Sequence, residues 1–188
     1  METPFGWIGA VFDALLSLIP RIIIVRATHG GVRWRKGRIV KPLAPGLHMY
    51  WPVMTDYAII VTARQTYNLP TQILTTSDNR KVVVGLLVVY RIHDVVQAIG
   101  KVNWDVDTTI GDITQAAVVG IIASQPFDKL LGTIATNELN NKFTEATRHE
   151  LKKYGVSISQ CKLTDFAECR VLKLVIDSGQ REIGNYVK

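Results

Sequence analysis

Cysteine is scarce in this 188-residue chain, and Cys161 and Cys169 are too few to build a disulfide framework. A reducing compartment fits best, with two free structural thiols, because no CxxC or Cys/His spacing supports zinc. No Asn-x-Ser/Thr sequon occurs, and neither a GxGxxG nor a Walker loop is present, which argues against nucleotide binding. His29, His48, His93 and His149 are widely separated, and no nucleophile beside a base, carboxylate pair or metal cluster is visible. No metal, no cofactor and no enzymatic reaction are therefore expected. Negative charge is missing from one long interval: no acid occurs from Ala14 to Thr55. Repeats and low-complexity segments are also lacking, so the chain reads as one ordinary domain or two small ones.

Within the acid-free interval lie Arg21, Arg26, Arg33, Arg35, Lys36, Arg38 and Lys41, so the net charge of +6 is concentrated rather than spread. Cations beside a membrane-inserting segment attract anionic lipid, at roughly 1 kcal/mol each when close to the surface. A solvated basic strand edge, which discourages aggregation, is the alternative reading of the same residues. Just before the cluster, Phe5 to Val25 forms an apolar stretch interrupted by Asp13, Pro20 and Arg21. Pro20 disfavours helical geometry at Ile19, so the expected unit is a helix from about Phe5 to Leu18, too short to cross a bilayer. Glu2 precedes the apolar run and the first Arg follows it, the wrong order for a cleaved signal peptide, so the segment is expected to stay on the protein. Two readings remain: a helix lying in one leaflet with Trp7 at interfacial depth, or a soluble core helix. Phe5, Trp7, Ile8, Val11, Phe12, Leu15, Leu16, Leu18 and Ile19 cover nearly every face of that helix, which favours membrane contact.

Beyond the segment, β-branched Ile22 to Val25, a Gly30-Gly31 turn and Val32 to Val40 predict a hairpin. Pro42, Pro45, Gly46 and Pro52 predict an irregular loop over Lys41 to Val53, presenting Leu47, Met49, Tyr50 and Trp51 either to the sheet or to lipid head groups. Tyr57 to Leu69 alternates as a strand, and Lys81 to Ile92 is a near-continuous apolar strand that must be buried on both faces. The polar run Thr75 to Asn79 between them predicts a turn. A short helix capped by Asp94 and stopped by Gly100 follows. A longer helix from near Asp105 carries an Ile110, Ile113, Ala117, Ile121 stripe and ends at Pro126. A third helix, from about Asn137 to Tyr154, turns Leu139, Phe143, Ala146, Leu151 and Tyr154 inward and stops at Gly155. Val156 to Phe166 returns to strand, and Val171 to Val187 resumes a helical pattern. The fold class is α+β, with helices covering one side of a mainly antiparallel or mixed sheet.

Gly31-Val32, Gly37, Pro45-Gly46-Leu47-His48 and Trp51-Pro52 together resemble the opening of the Band 7, or SPFH, domain shared by prohibitin, stomatin and flotillin. Leu74 to Asp78, leading into Val82 to Ile92 and Asp94, resembles that family's turn, long strand and Tyr-Arg-Ile-x-Asp ending. Leu151 to Val156 and Cys161 to Phe166 are similar to its helix, Gly-Val turn and final strand, so the resemblance runs from Ile22 to Val175. It implies a membrane-associated segment over 1–28, a β-rich first SPFH subdomain over 29–100, an α/β second subdomain over 101–176, and the start of a C-terminal helix over 177–188. It further implies a membrane location with the SPFH domain on the cytoplasmic side, and homo-oligomeric rings or cages. Enclosed membrane proteins, a membrane protease among the candidates, are the partners it suggests. Only the beginning of a heptad helix precedes Lys188, so coiled-coil closure is not inferred, and no N-terminal cysteine supports carrying over lipidation.

The function expected is a membrane-attached oligomeric scaffold that organises a membrane microdomain and contacts anionic membrane lipids. A basic nucleic-acid-binding module is the runner-up, since Arg33, Trp34, Arg35, Lys36 and Arg38 interleave base and aromatic. The neighbouring apolar helix argues against nucleic acid as a partner.

Overall fold

In the computed structural model, which describes residues 19–101 and 105–169, the Ile-rich run near the N-terminus pairs with a distant strand rather than with its neighbour. β1 (Arg21–Val25) is followed by β2 (His29–Arg35), β3 (Ile39–Leu43) and β4 (Gly46–Tyr50). β1 lies antiparallel to β4 in a two-stranded ribbon, Arg21 opposite Tyr50 and Val25 opposite Gly46. The hairpin expected at Gly30-Gly31 is thus corrected, because both glycines lie inside β2. A Cβ on Gly31 would come within 2.7 Å of the Ala58 carbonyl oxygen, so the residue serves a close strand approach rather than a turn. The reversal comes later, in the three residues between paired Arg35 and Ile39, where Lys36 and Gly37 take φ values of 53° and 64° and the Arg38 amide donates to the Arg35 carbonyl.

The irregular loop expected over Lys41 to Val53 is also corrected, since β3 and β4 occupy much of it. Pro42 is compatible with β3 because that strand sits at the edge of the sheet β3-β2-β5, where no outward ladder bond is lost. β5 (Thr55–Val61) and β6 (Gln65–Thr75) divide what alternation presented as a single strand, and they belong to different sheets.

β7 (Lys81–Ile92) is the middle strand of the third sheet, antiparallel to β6 on one side and to β8 (Val156–Glu168) on the other. Its continuous apolar composition reflects that position: Val82, Val84, Leu86, Val88 and Tyr90 on one face are all buried, as is Val89 on the other. Each fully buried Val or Leu contributes about 1.5–3 kcal/mol relative to exposure, so this strand is a major apolar contributor to the domain. Pro70 lies within edge strand β6, where the register to β7 shifts between Leu69 and Gln72.

Asp94 accepts from the Val96 and Gln97 amides, and a single π-helical segment follows over Val96–Lys101. Gly100 belongs to that segment instead of stopping it, close to Val40 and Val32. Helix α1 (Val106–Ala123) is capped by Asp105, which accepts from the Asp107 and Thr108 amides. Its fully buried face is Ile110, Thr114, Val118 and Ile122, with Ile113, Ala117 and Ile121 half-buried beside it, a shift of about one residue from the expected stripe. This helix is long and apolar enough to cross a membrane by length and composition. It nonetheless packs against β6 and the helix over Glu138–Leu151, and Val118 and Ile122 are in the core cluster.

Pro126 does not merely end α1; it sits at the N-cap of a helix that the spacing did not reveal, α2 (Phe127–Ala135). Asp78 accepts from the Phe127 amide at 3.3 Å and from the Thr76 hydroxyl, tying the polar turn before β7 to that helix start. α3 (Glu138–Leu151) buries Leu139, Phe143, Thr147 and Leu151, continues through a 3-10 turn at Lys152–Tyr154, and closes at Gly155 with φ 73°. The core gathers β7, α1 and α3 around Leu86, Ile110, Phe143 and Leu151.

Candidate membrane-facing surface

Alternation in the β1–β4 ribbon places Ile22 opposite Met49 and Ile24 opposite Leu47, all four on the same face. That face is open: these side chains are 62%, 57%, 69% and 67% exposed. Ile19, Trp51, Val53 and Met54, close to the ribbon in sequence, are more than half exposed as well. Soluble domains rarely leave so many large apolar side chains in one region without a partner surface. Leu47, Met49 and Tyr50, expected in a loop, are in strand β4, and Trp51 follows it directly. The strand forms there because its partner is β-branched from Ile22 to Val25, while Gly46 takes φ 139° to make the corner after Pro45. Tyr50 differs from its neighbours in turning inward, packing edge-on against Tyr57 at 4.8 Å between ring centroids. The hydrogen bond shared by the two phenols pushes Tyr57 above its usual pKa, while Arg21 pulls the other way.

The β3-β2-β5 sheet separates its faces just as clearly. Val32 and Trp34 point toward the body, Val32 fully buried and the Trp34 indole donating to the Gly100 carbonyl at 3.3 Å. Arg33 and Arg35 alternate with them and so project to the other side, Arg33 opposite both Lys41 and Tyr57. Arg33 reaches the ribbon, its guanidinium donating to the Met49 carbonyl at 3.4 Å. Among the described residues no ion pair engages Arg33, Arg35 or Lys41. Between ribbon and sheet lies a groove of about 440 Å³ lined by Pro20, Arg33, Arg35, Met49, Tyr50, Trp51, Met54 and Thr55.

Of the seven expected cationic contacts, the fold brings Arg33, Arg35 and Lys41 onto one sheet face, with Lys36 and Arg38 at the adjoining hairpin tip. Arg21 opens β1 beside Tyr50. Arg26 follows the other end of β1, roughly 16 Å along the strand from Arg21 at the usual rise per residue. Of the expected anchor, Phe5, Trp7, Ile8, Val11, Phe12, Leu15, Leu16 and Leu18 lie outside the described residues, as does the helix expected over Val171 to Val187. Ile19 is described and is 55% exposed. The outward contribution of Ile22, Ile24, Val53 and Met54 was not evident from sequence, because a run of three isoleucines shows no alternation.

Chemistry-bearing side chains elsewhere are dispersed. Among the described residues no group of three or more His, Cys, Asp or Glu could hold a metal ion. His48 donates to the Ala44 carbonyl at 2.6 Å, and His29 lies 2.9 Å from the Thr28 hydroxyl. Burial raises the pKa of the Cys161 thiol, the reverse of what an activated nucleophile needs. Tyr90, buried and donating to Asp107 at 3.0 Å, is pushed up to about 12 by burial and by that carboxylate.

Comparison with known proteins agrees with this architecture. A protein of Archaeoglobus fulgidus is 28% identical over 159 residues, covering 85% of this chain and 63% of that relative. One from Methanocaldococcus jannaschii is 30% identical over 160 residues, covering 85% of this chain and 78% of its own length. A stomatin homolog of Pyrococcus horikoshii is 26% identical over 151 residues, 80% of this chain and 56% of the relative. The chain thus spans less than two thirds of two of these three relatives. The model of the SPFH domain / Band 7 family matches residues 23–176, nearly the range over which the sequence blocks resemble it, and this chain belongs to that family.

Proposed function

We propose that this chain is a membrane-attached scaffold that assembles in several copies on a bilayer, held by its N-terminal apolar segment, the outward face of the β1–β4 ribbon and the cationic face of the adjoining sheet. The observation that carries this reading is the placement of Ile22, Ile24, Leu47 and Met49 on one open face beside the Arg33, Arg35 and Lys41 face. An apolar surface flanked by unpaired cations matches the depth profile of a bilayer, hydrocarbon beneath anionic head groups. Membership of the SPFH family supports a membrane-associated scaffolding role in general, and the stomatin names of some relatives point the same way. Residues Phe5 to Ile19 form the anchor proper. The Lys and Arg residues that follow it favour the cytoplasmic side for the folded body, as positive flanks of inserted segments do. Copies gather side by side into a ring or cage and fence off a membrane patch with its resident proteins. No catalytic reaction is assigned.

The apolar component separates this reading from nucleic-acid binding. Each ribbon side chain fully removed from water contributes about 1.5–3 kcal/mol that salt does not screen, whereas phosphate contacts weaken steeply as salt rises. The full chain in isolated membranes is therefore expected to resist a high-salt wash and to be released by detergent. Replacing Leu15, Leu16 and Ile19 by Gln together with Ile24→Glu and Leu47→Glu moves it to the soluble fraction. Release by salt alone, or unchanged pelleting of the substituted protein, would falsify the proposal.

A further inference from the structure

The groove between the β1–β4 ribbon and the β3-β2-β5 sheet has a composition that a diffuse cationic collar does not need. Its lining combines two guanidiniums, Arg33 and Arg35, with Met49, Trp51 and Met54, and among the described residues it contains no acid. The two arginines stand two residues apart on one strand face, so their side chains rise about 7 Å from one another at the backbone. Long planar guanidiniums at that spacing can converge on a single phosphate, each supplying parallel N–H donors. Met49, Trp51 and Met54 are more than half exposed, giving apolar contact for the glycerol and upper acyl carbons below the phosphate. Thr55, opposite Arg35 across the strand pair, adds a hydroxyl to the same wall.

From this lining we propose a discrete site for one anionic phospholipid whose head group carries a phosphate and no cation of its own. This inference rests on the membrane-attached reading above and names the lipid class it selects. Charge decides the class: an ammonium-bearing head group would bring its positive charge against two guanidiniums with no carboxylate among the described lining residues to accept it. Phosphatidylserine and phosphatidylglycerol have the same net charge, yet only the former carries an ammonium. A collar that senses surface potential alone treats them equally, whereas the groove prefers the glycerol head group.

The test is flotation of the full chain with three vesicle compositions: phosphatidylcholine alone, and phosphatidylcholine with equal mole fractions of either phosphatidylglycerol or phosphatidylserine. Binding to phosphatidylglycerol vesicles is expected to exceed that to phosphatidylserine vesicles at least threefold. Arg33→Gln with Arg35→Gln abolishes this ratio, while Arg26→Gln with Arg38→Gln, which removes equal charge outside the groove, lowers both affinities and leaves the ratio intact. Arg35→Gln alone, at an exposed position, reduces the ratio without the loss of the Arg33 bond to Met49, and Lys at both positions restores it only partly because the planar fork is gone. Glycerol 3-phosphate at millimolar concentration does not displace the protein from the vesicles. Equal binding of the two anionic compositions, a ratio lost equally in the Arg26/Arg38 variant, or displacement by glycerol 3-phosphate would overturn the site while binding to phosphatidylcholine alone still upheld the anchor. Absence of binding to all three compositions would overturn the membrane reading itself.

Discussion

Gly155 shows how one residue can join two elements. Its φ of 73° ends the 3-10 turn after α3, its carbonyl accepts from the His93 and Asp94 amides, and a Cβ there would collide with the Asp94 carbonyl oxygen. Gly155→Ala is expected to destabilise the domain by more than about 1 kcal/mol, read as a lower urea midpoint with an unchanged slope. Asp78 acts at the same scale by a different route. The Thr76 hydroxyl above all, then the Phe127 amide and Arg80, hold its carboxyl below the ordinary aspartate range. A carboxyl depressed in the folded state adds stability at neutral pH that disappears as pH falls below about 4 and through the folded value. Thermal unfolding between about pH 5 and 3 should therefore drop more steeply in the native protein than in Asp78→Asn, whose side chain does not titrate; parallel curves would remove the carboxylate from this role. Gly155 was legible in the sequence as a helix stop, and Asp78 as a turn residue. Their long-range partners were not, since nothing local announces Asp94 or Phe127.

At the scale of elements, α3 seals the outer edge of β8 with side chains rather than with another strand. Asn140, Thr144 and Arg148 recur at four-residue intervals, so they share one helical face. Thr144 accepts from the Cys161 amide at 2.8 Å, Asn140 from the Leu163 amide at 2.9 Å, and Arg148 donates to the Ile158 and Ser159 carbonyls. The part of this edge strand from Ile158 to Leu163 thereby has outward backbone groups satisfied in place, which discourages pairing with another chain there. Elements with a strong intrinsic period, β7 and α3, could be read directly. α2 could not, because its nine residues are short and its start is set by Pro126 together with a carboxylate from a distant turn. The irregular loop expected before Val53 failed for a related reason. Proline excludes a central strand, yet β3 is an edge strand, and edge status is a property of the assembled sheet.

Seen as a whole, the molecule turns one indole outward, just after the ribbon, and another inward on the adjoining sheet. Trp51 follows the ribbon and is 51% exposed, while Trp34 is tied to the Gly100 carbonyl beneath the sheet. If the ribbon meets the bilayer as proposed, the two report different depths. In single-tryptophan variants bound to vesicles, lipid with brominated acyl chains is expected to quench Trp51 fluorescence strongly and Trp34 little. Equal quenching would place the body in another orientation. The same comparison bears on the basic cluster, which sequence presented as a single patch. Strand alternation puts Arg33, Arg35 and Lys41 on one face, the hairpin carries Lys36 and Arg38 to its tip, and Arg26 is left at the far end of β1.

Family membership, the order of strands, then helices, then a closing strand, the buried central strand and the caps of the longer helices were all determined by local composition and order along the chain, because periodicity and turn chemistry act between near neighbours. The pairing of β1 with β4, the open isoleucine face that results, and the groove holding Arg33 and Arg35 were decided only by tertiary structure. Each depends on which strand lies beside which, and hydrogen bonding between residues more than twenty positions apart leaves no periodic mark in the sequence that makes it.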